Sequence, residues 1–362
     1  MEVAMSSSAA ADPAYGTALP WVEGGDANGI LSRAQQLTGP LLRAAVDTLP
    51  AELRLVVGYH LGWWDAAGTP TVGESSGKGL RPALVLAAAR AAARRGDSDR
   101  SPELAVHAAA AVELVHNFTL LHDDVMDGDE LRRGRPTVWR VFGIDDAVLA
   151  GDAMHGLAIW TLAAAPIAGL SGIARLEEAV IELCLGQQRD CAAESKTEVT
   201  LDECLATLQH KTGALIGCAC AMGALCAGAR PEVVEAMDGF GRELGIAFQL
   251  VDDLMGIWGD PARTGKPVGN DLMRHKRSLP VVVALESGTA AGREFADLYR
   301  SEEPLDAPAA QRAAELIARA GGRRWAQAES IRRVRAAKSC ISGYRGARDL
   351  LELADCVVER DH

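Results

Sequence analysis

Apolar positions in this chain come in long alanine- and leucine-rich runs, broken by short polar or glycine–proline stretches. Alternation of β-branched and polar residues is nearly absent. Alanine is the best helix former, and a strand would need alternation, so the pattern predicts an all-α protein. The runs Ala87–Ala89, Ala91–Ala93 and Ala108–Ala111 fall in the middle of expected helices. Helices are predicted over residues 30–66, 79–95, 101–128, 144–164, 174–194, 201–228 and 231–256, with several more from 277 to the end. The breakers Gly68–Pro70, Gly96–Pro102, Gly134–Pro136 and Gly259–Pro267 mark the loops. No short repeat recurs and no linker is rich enough to split the chain, so residues 28–362 are expected to form one domain.

Two charged clusters change this picture. In the string Leu120 to Thr137, Asp123, Asp124 and Asp127 follow a mostly apolar stretch and precede Arg132 and Arg133. Asp123 and Asp127 are one helical turn apart and share a face. Two buried acids on one face need a cation between them, or protonation. Hard oxygens at this spacing suit Mg²⁺, which keeps waters and bridges to substrate phosphate, and the arginines suit phosphate oxygens. A second cluster repeats the layout: Gln249, Asp252 and Asp253 close an apolar stretch, and Lys266 and Lys276 follow. Each aspartate pair alone reads as well as a solvated helix end; both together, each trailed by cations, point to a diphosphate clamped by several Mg²⁺ ions between two helices.

At this point the chain resembles the trans-isoprenyl diphosphate synthases, or polyprenyl synthetases. Five motifs stand in the family's order between about Gly77 and Pro280. SGKGLRP (Ser76 to Pro82) is similar to the family's GGKRLRP, and His116 lies seven residues before Asp123. DDVMD with its two arginines resembles the first aspartate-rich motif. Lys211-Thr212 resembles the family's Lys-Thr pair, and Gln249 with Asp252-Asp253 the second aspartate-rich motif, followed by GKP (Gly265 to Pro267). Two departures stand out: Gly256 occupies the place of a third aspartate, and Gly79 that of an arginine.

The resemblance implies a single-domain helical bundle of the isoprenoid synthase type, with the acidic motifs facing each other across a deep central cavity. It implies metal binding by Asp123, Asp127, Asp252 and Asp253. It implies that Lys78, Arg81, His116 and Arg133 hold isopentenyl diphosphate. Arg132, Lys211, Thr212, Gln249, Lys266 and Lys276 would hold the allylic diphosphate, with Lys211, Thr212 and Gln249 nearest the chemistry. Phe118 and Thr119, at the fifth and fourth places before Asp123, would set product length. One is bulky and one small, which favours geranylgeranyl diphosphate over farnesyl diphosphate. Two other classes stay in view: a class I terpene cyclase, which would need no second diphosphate cradle, and a partner subunit of a heteromeric synthase, which would be expected to lose its acidic motifs. A homodimer is also implied.

The remaining composition fits. The chain has 362 residues, 48% hydrophobic content and a net charge of −12. That charge excludes nucleic acid as a partner but not an anionic substrate, because bound cations reset the local field. None of the eight cysteines forms a CxxC pair, and they read as reduced thiols of a cytoplasmic protein. The uncharged stretches 153–174 and 212–229 hold too much Gly, Pro and small-residue content for stable membrane insertion. Residues 1–27 carry no Lys or Arg and are rich in Ala, Ser, Gly and Pro. They are expected to be a disordered tail rather than a signal peptide, with docking to a protein partner as its sharper role.

Overall fold

The computed structural model describes residues 21, 24–71, 77–94, 101–166, 169–196, 199–259, 269–300 and 305–359. Most of the expected tail lies outside them, as do Ser76, Lys266 and the GKP turn. The chain is a bundle of α-helices. It starts with α1 (Ala27–Asp47), α2 (Ala51–His60), α3 (Leu80–Ala92), a single turn α4 (Ser101–Leu104) and α5 (Val106–Met126). A two-stranded ribbon, β1 (Leu131–Arg132) and β2 (Arg135–Pro136), leads to α6 (Val138–Phe142), α7 (Ile144–Ala163) and α8 (Gly169–Ser195). Then come α9 (Leu201–Leu208), a π-helical turn Gln209–Gly213, α10 (Ala214–Cys226) and α11 (Pro231–Trp258). The last third holds α12 (Asn270–Met273), α13 (Leu279–Glu286), α14 (Ala290–Tyr299), α15 (Ala307–Arg319), α16 (Gly322–Cys340) and α17 (Arg348–Glu359).

Local chemistry sets the helix ends. Asp26 caps α1 by accepting from the Gly29 amide, and Thr200 with Glu203 forms a reciprocal capping box at α9. The helix expected over 30–66 is two helices, because Pro50 at the α2 start has no N–H to carry the first helix forward. In the segment expected as a tail, Trp21 is buried and donates its indole N–H to Asp349 at 2.9 Å. An aromatic that finds an apolar slot and a buried acceptor is anchored even amid small residues.

The small residues that predicted helices also fix how the helices meet. Nearly every residue of α10 is buried, as a helix apolar on all sides must be. It lies between α3 and α11, while α5 packs along α7. A Cβ on Gly223 would stand 2.1 Å from the Val85 carbonyl oxygen, so α10 and α3 touch backbone to backbone. Among the described residues no helix is long and apolar enough to cross a membrane.

Candidate active site

The first acidic motif ends α5. Asp123 lies on its last turn and Asp127 is its C-cap; burial pushes the Asp123 carboxyl up to about 6, with Lys211 pulling it down and Asp127 adding to the rise. Burial likewise raises Asp127. Asp124, between them, faces the other way. It is buried and accepts Arg132 Nε at 2.7 and 2.9 Å, with Nη2 at 2.7 Å. Arg132 is thus braced on α5 by a forked pair. The two arginines sit on the β1–β2 ribbon, whose turn residues Arg133 and Gly134 have φ of 53° and 77°. Positive φ at both central residues is the twist a two-residue hairpin needs, and Arg133 adopts it without being glycine.

Arg133 reaches Gly77, where an added Cβ would meet its Nη2 at 3.0 Å. Arg81 lies nearby on α3, and its buried Nε has no hydrogen-bond partner. Burial lowers Arg81 while Glu113 pulls it back up. Glu113 is a buried carboxylate on α5 whose own pKa burial raises. His116, also on α5, is held well below its ordinary pKa by burial and by Arg81 and Arg133. It is therefore neutral and presents a single N–H. Lys78 is exposed at the rim. The structure brings Arg81, His116 and Arg133 together into one cationic nest with a donor left open, and Glu113 is its counter-charge. A cavity of about 180 Å³ opens beside it, lined by His60, Asp124, Arg132, Arg133 and Arg135 among others. Burial and these arginines push His60 down to about 3, so it too is neutral.

Lys211 and Thr212 lie in the π turn. π turns arise where packing forces an extra residue into a helix, and here glycines permit the squeeze. A Cβ on Gly186 of α8 would sit 2.3 Å from the Lys211 amide nitrogen, and one on Gly245 of α11 would sit 2.8 Å from the Gly213 Cα. Lys211 Nζ pairs with Asp190 at 2.5 Å. Burial alone would lower Lys211, but Asp190 and Asp123 outweigh it and hold the ammonium charged.

The second motif lies on α11. Thr212 Oγ1 donates to Gln249 Oε1 at 3.2 Å, Gln249 Nε2 donates to Asp253 Oδ1 at 3.0 Å, and Asp253 Oδ2 accepts the Leu279 amide at 3.2 Å. This chain ties the π turn to α11 and to the start of α13. Asp253 is buried and pushed up to about 6 by that burial, with Lys276 pulling against it. Each Asp253 oxygen accepts one bond of this network. Lys276 stays charged against its burial because it faces Asp253, Asp271, Asp190 and Asp252. Arg274, two residues earlier, closes the rim: it pairs with Asp129 and donates Nη2 to the Asp127 carbonyl at 3.0 Å.

Across the site, the Lys211 and Lys276 ammonium groups face six carboxylates: Asp123, Asp127, Asp190, Asp252, Asp253 and Asp271. The donors are hard oxygens in negative excess, the set that suits magnesium. Among the described residues no three His, Cys, Asp or Glu side chains converge into a closed cage. Asp190, Asp271, Glu113 and Arg274 escaped the sequence reading. None of them stands in an acidic pair: Asp190 follows Arg189, Glu113 lies alone in an apolar run, Asp271 follows Asn270, and Arg274 opens the basic run 274–277.

Phe118 lies on α5, five residues before Asp123. The Phe118 ring meets His122 at 5.7 Å and His155 of α7 at 5.1 Å between centroids, and His155 Nε2 bonds Glu177 of α8 at 3.0 Å. Thr119 Oγ1 turns back to the His116 carbonyl at 2.8 Å.

Comparison with known proteins places the chain among relatives along most of its length. Residues 69–317 match the family model described as polyprenyl synthetase. The geranylgeranyl diphosphate synthase of Mycobacterium tuberculosis is 47% identical over 335 residues, covering 92% of this chain and 93% of that protein. The (2E,6E)-farnesyl diphosphate synthase of Mycobacterium bovis is 46% identical over 341 residues, covering 91% and 92%. The crystal structure of a polyprenyl synthetase from Streptomyces coelicolor A3(2) superposes with a TM-score of 0.85 at 41% identity, covering 92% of this chain and 99% of that one. With the family model matching more than half of the chain and relatives this similar along almost all of it, the chain belongs to the polyprenyl synthetase family of prenyltransferases.

Proposed function

We propose that the protein is a magnesium-dependent synthase that condenses isopentenyl diphosphate with an allylic diphosphate, and that its product is geranylgeranyl diphosphate, with farnesyl diphosphate the next choice. The observation that carries this reading is the pairing of two unlike charge sites in one bundle. One is a carboxylate-rich site with two lysines. The other is a cationic nest with an unpartnered buried arginine Nε. A terpene cyclase would need only the first. A non-catalytic partner subunit would not need both acidic motifs.

In this reading Asp123, Asp127 and Asp252 hold magnesium, with Asp253 positioning α11 behind them. An ion held there would supply the positive charge that turns an allylic diphosphate into a competent leaving group. Lys211, Lys276 and Lys266 orient that diphosphate, with Arg132 held ready by Asp124. Lys78, Arg81, His116 and Arg133 orient isopentenyl diphosphate. The allylic C–O bond breaks, the isopentenyl double bond attacks the allylic carbon, and the new chain loses a proton to the departing pyrophosphate. Thr212 and Gln249 turn oxygen dipoles toward the developing positive charge, where a cationic side chain would oppose it. Phe118, braced by His155, and Thr119 form the floor that limits the growing tail.

The exposed apolar side chains Ile144, Leu149, Trp160, Leu170 and Ile181 gather on α7 and α8. An apolar surface of this kind marks an interface, and a homodimer through it belongs to the same reading. So does a cytoplasmic location, which suits eight cysteines that form no disulfide. Any docking role of the N-terminal tail lies outside the described residues.

The reaction class is tested by incubating the purified protein with isopentenyl diphosphate and an allylic diphosphate, with Mg²⁺ and with EDTA. Asp127→Ala should abolish elongation while leaving the helical circular dichroism spectrum unchanged. Elongation that persists in EDTA, or near-parental turnover in Asp127→Ala, contradicts the assignment.

A further inference from the structure

The chain is acidic overall, with 49 Asp and Glu against 37 Lys and Arg, yet one segment runs the other way. Residues 323–348 hold eight Lys and Arg and a single acid, Glu329. They span α16, the turn after it and the first residue of α17. Four of the eight are engaged. Arg323 lies over the Trp258 ring at 5.2 Å, Arg332 and Arg333 share Glu329, Arg333 also meets Glu243 at 3.1 Å, and Lys338 pairs with Asp355. Arg324, Arg335, Arg345 and Arg348 are exposed and enter no ion pair among the described residues.

These arginines are ordered along the fold. Arg324 and Arg335 are eleven residues apart, which is about three turns and about 16 Å along one helix face. Ile331 lies between them on that face and is 40% exposed. Arg345 and Arg348 follow beyond the C-terminal end of α16. No acid on α16 is exposed, whereas a helix face that is merely solvated usually mixes both signs. α16 runs antiparallel along α11: its first turn meets Trp258, Arg333 meets Glu243, and a Cβ on Gly239 would touch Cys340 Sγ at 3.5 Å. The arginine face therefore extends from the end of α11 that carries the second acidic motif toward its opposite end.

An anionic surface laid against this face feels charges within a Debye length, about 8 Å at physiological salt. Acids elsewhere on the bundle lie mostly beyond that length and are screened. An exposed isoleucine between two arginines suits a lipid surface, which offers headgroup charge and acyl depth together. A nucleic acid backbone offers only the charge.

We propose that the arginine face of α16 and the turn into α17 docks the protein side-on onto an anionic lipid surface. The docking stands on this surface alone. Its use rests on the synthase reading: it brings the acidic end of α11 beside the lipid, into which a long prenyl tail can pass.

The test floats the full chain with vesicles of neutral phospholipid, and with vesicles containing anionic phospholipid, and measures turnover separately without vesicles. The parent should bind the anionic vesicles, leave them at high salt and ignore the neutral ones. Arg324→Ala and Arg335→Ala should each weaken binding about fivefold, and the double variant about 25-fold, the share of single basic residues at such a surface. Arg324→Lys/Arg335→Lys should keep binding, and vesicle-free turnover should stay parental in every variant. No binding to anionic vesicles, equal binding to neutral ones, or parental binding in the double alanine variant overturns the proposal. Capture by heparin without capture by anionic vesicles also overturns it, in favour of an acidic macromolecule. A parent that binds anionic vesicles but elongates nothing would support the docking and overturn the synthase reading instead.

Discussion

Replacing Asp123 by asparagine should stabilise the metal-free protein at neutral pH while removing its response to magnesium. Burial raises the Asp123 carboxyl from 3.8 to about 6, and Lys211 offsets only part of that. The folded protein then holds this proton more tightly than the unfolded chain does. Stability falls as pH rises from about 4 through about 6, and the loss is complete above that window. At about 1.4 kcal/mol for each tenfold change in proton affinity, ionising Asp123 costs the folded state about 3 kcal/mol at neutral pH. Asparagine keeps the shape and carries no charge. The variant should therefore be more stable than the parent by up to ~3 kcal/mol near pH 7.5, and by almost nothing near pH 4. Urea unfolding in EDTA across that range measures the gap. Mg²⁺ with inorganic pyrophosphate should raise the parent's midpoint and leave the variant's in place. A variant less stable than the parent at neutral pH, or a gap indifferent to pH, would refute the argument that this carboxylate is held charged for a cation.

Three further outcomes are expected. His116→Ala and Arg81→Ala should raise KM for isopentenyl diphosphate about ten- to a hundredfold, the loss of one charge-assisted bond, with a smaller effect on the allylic substrate; equal effects on both would count against two separate diphosphate sites. Thr119→Phe should shift product toward C15 and Phe118→Ala should lengthen it past C20, read by mass of the extracted prenyl alcohols; an unchanged spectrum in both places the floor elsewhere. Gly245→Ala drives a methyl into Gly213 at 2.8 Å and should destabilise the protein by about 1–3 kcal/mol while lowering kcat, since it displaces the turn bearing Lys211 and Thr212; kcat unchanged with stability lowered would detach that turn from the chemistry.

What the sequence made legible follows from where its signals are local. Asp123 with Asp127, and Gln249 with Asp252 and Asp253, stand out because acids one turn apart at the end of apolar helices are costly without a cation. Helix content was readable from alanine runs, although Pro50 divides what patterning alone joins over 30–66. What stayed hidden depends on contacts between distant segments. Asp190 gains its meaning from Lys211, Glu113 from Arg81 and Arg133, and Arg274 from Asp129. The π turn exists because Gly186 and Gly245 let two other helices press on it, which no local pattern announces. Asp253 reads as a ligand in sequence, yet its oxygens are engaged by Gln249 and the Leu279 amide. Trp21 reads as part of a loose tail and is anchored by Asp349 at the opposite end of the chain.

The central claim is tested most directly by the mass of the product. Purified protein given Mg²⁺, isopentenyl diphosphate and, in separate reactions, the C5, C10 and C15 allylic diphosphates should convert each to the same C20 diphosphate and release one pyrophosphate per condensation. A cyclised hydrocarbon formed without consuming isopentenyl diphosphate, or no elongation from any of the three starters, would contradict the account.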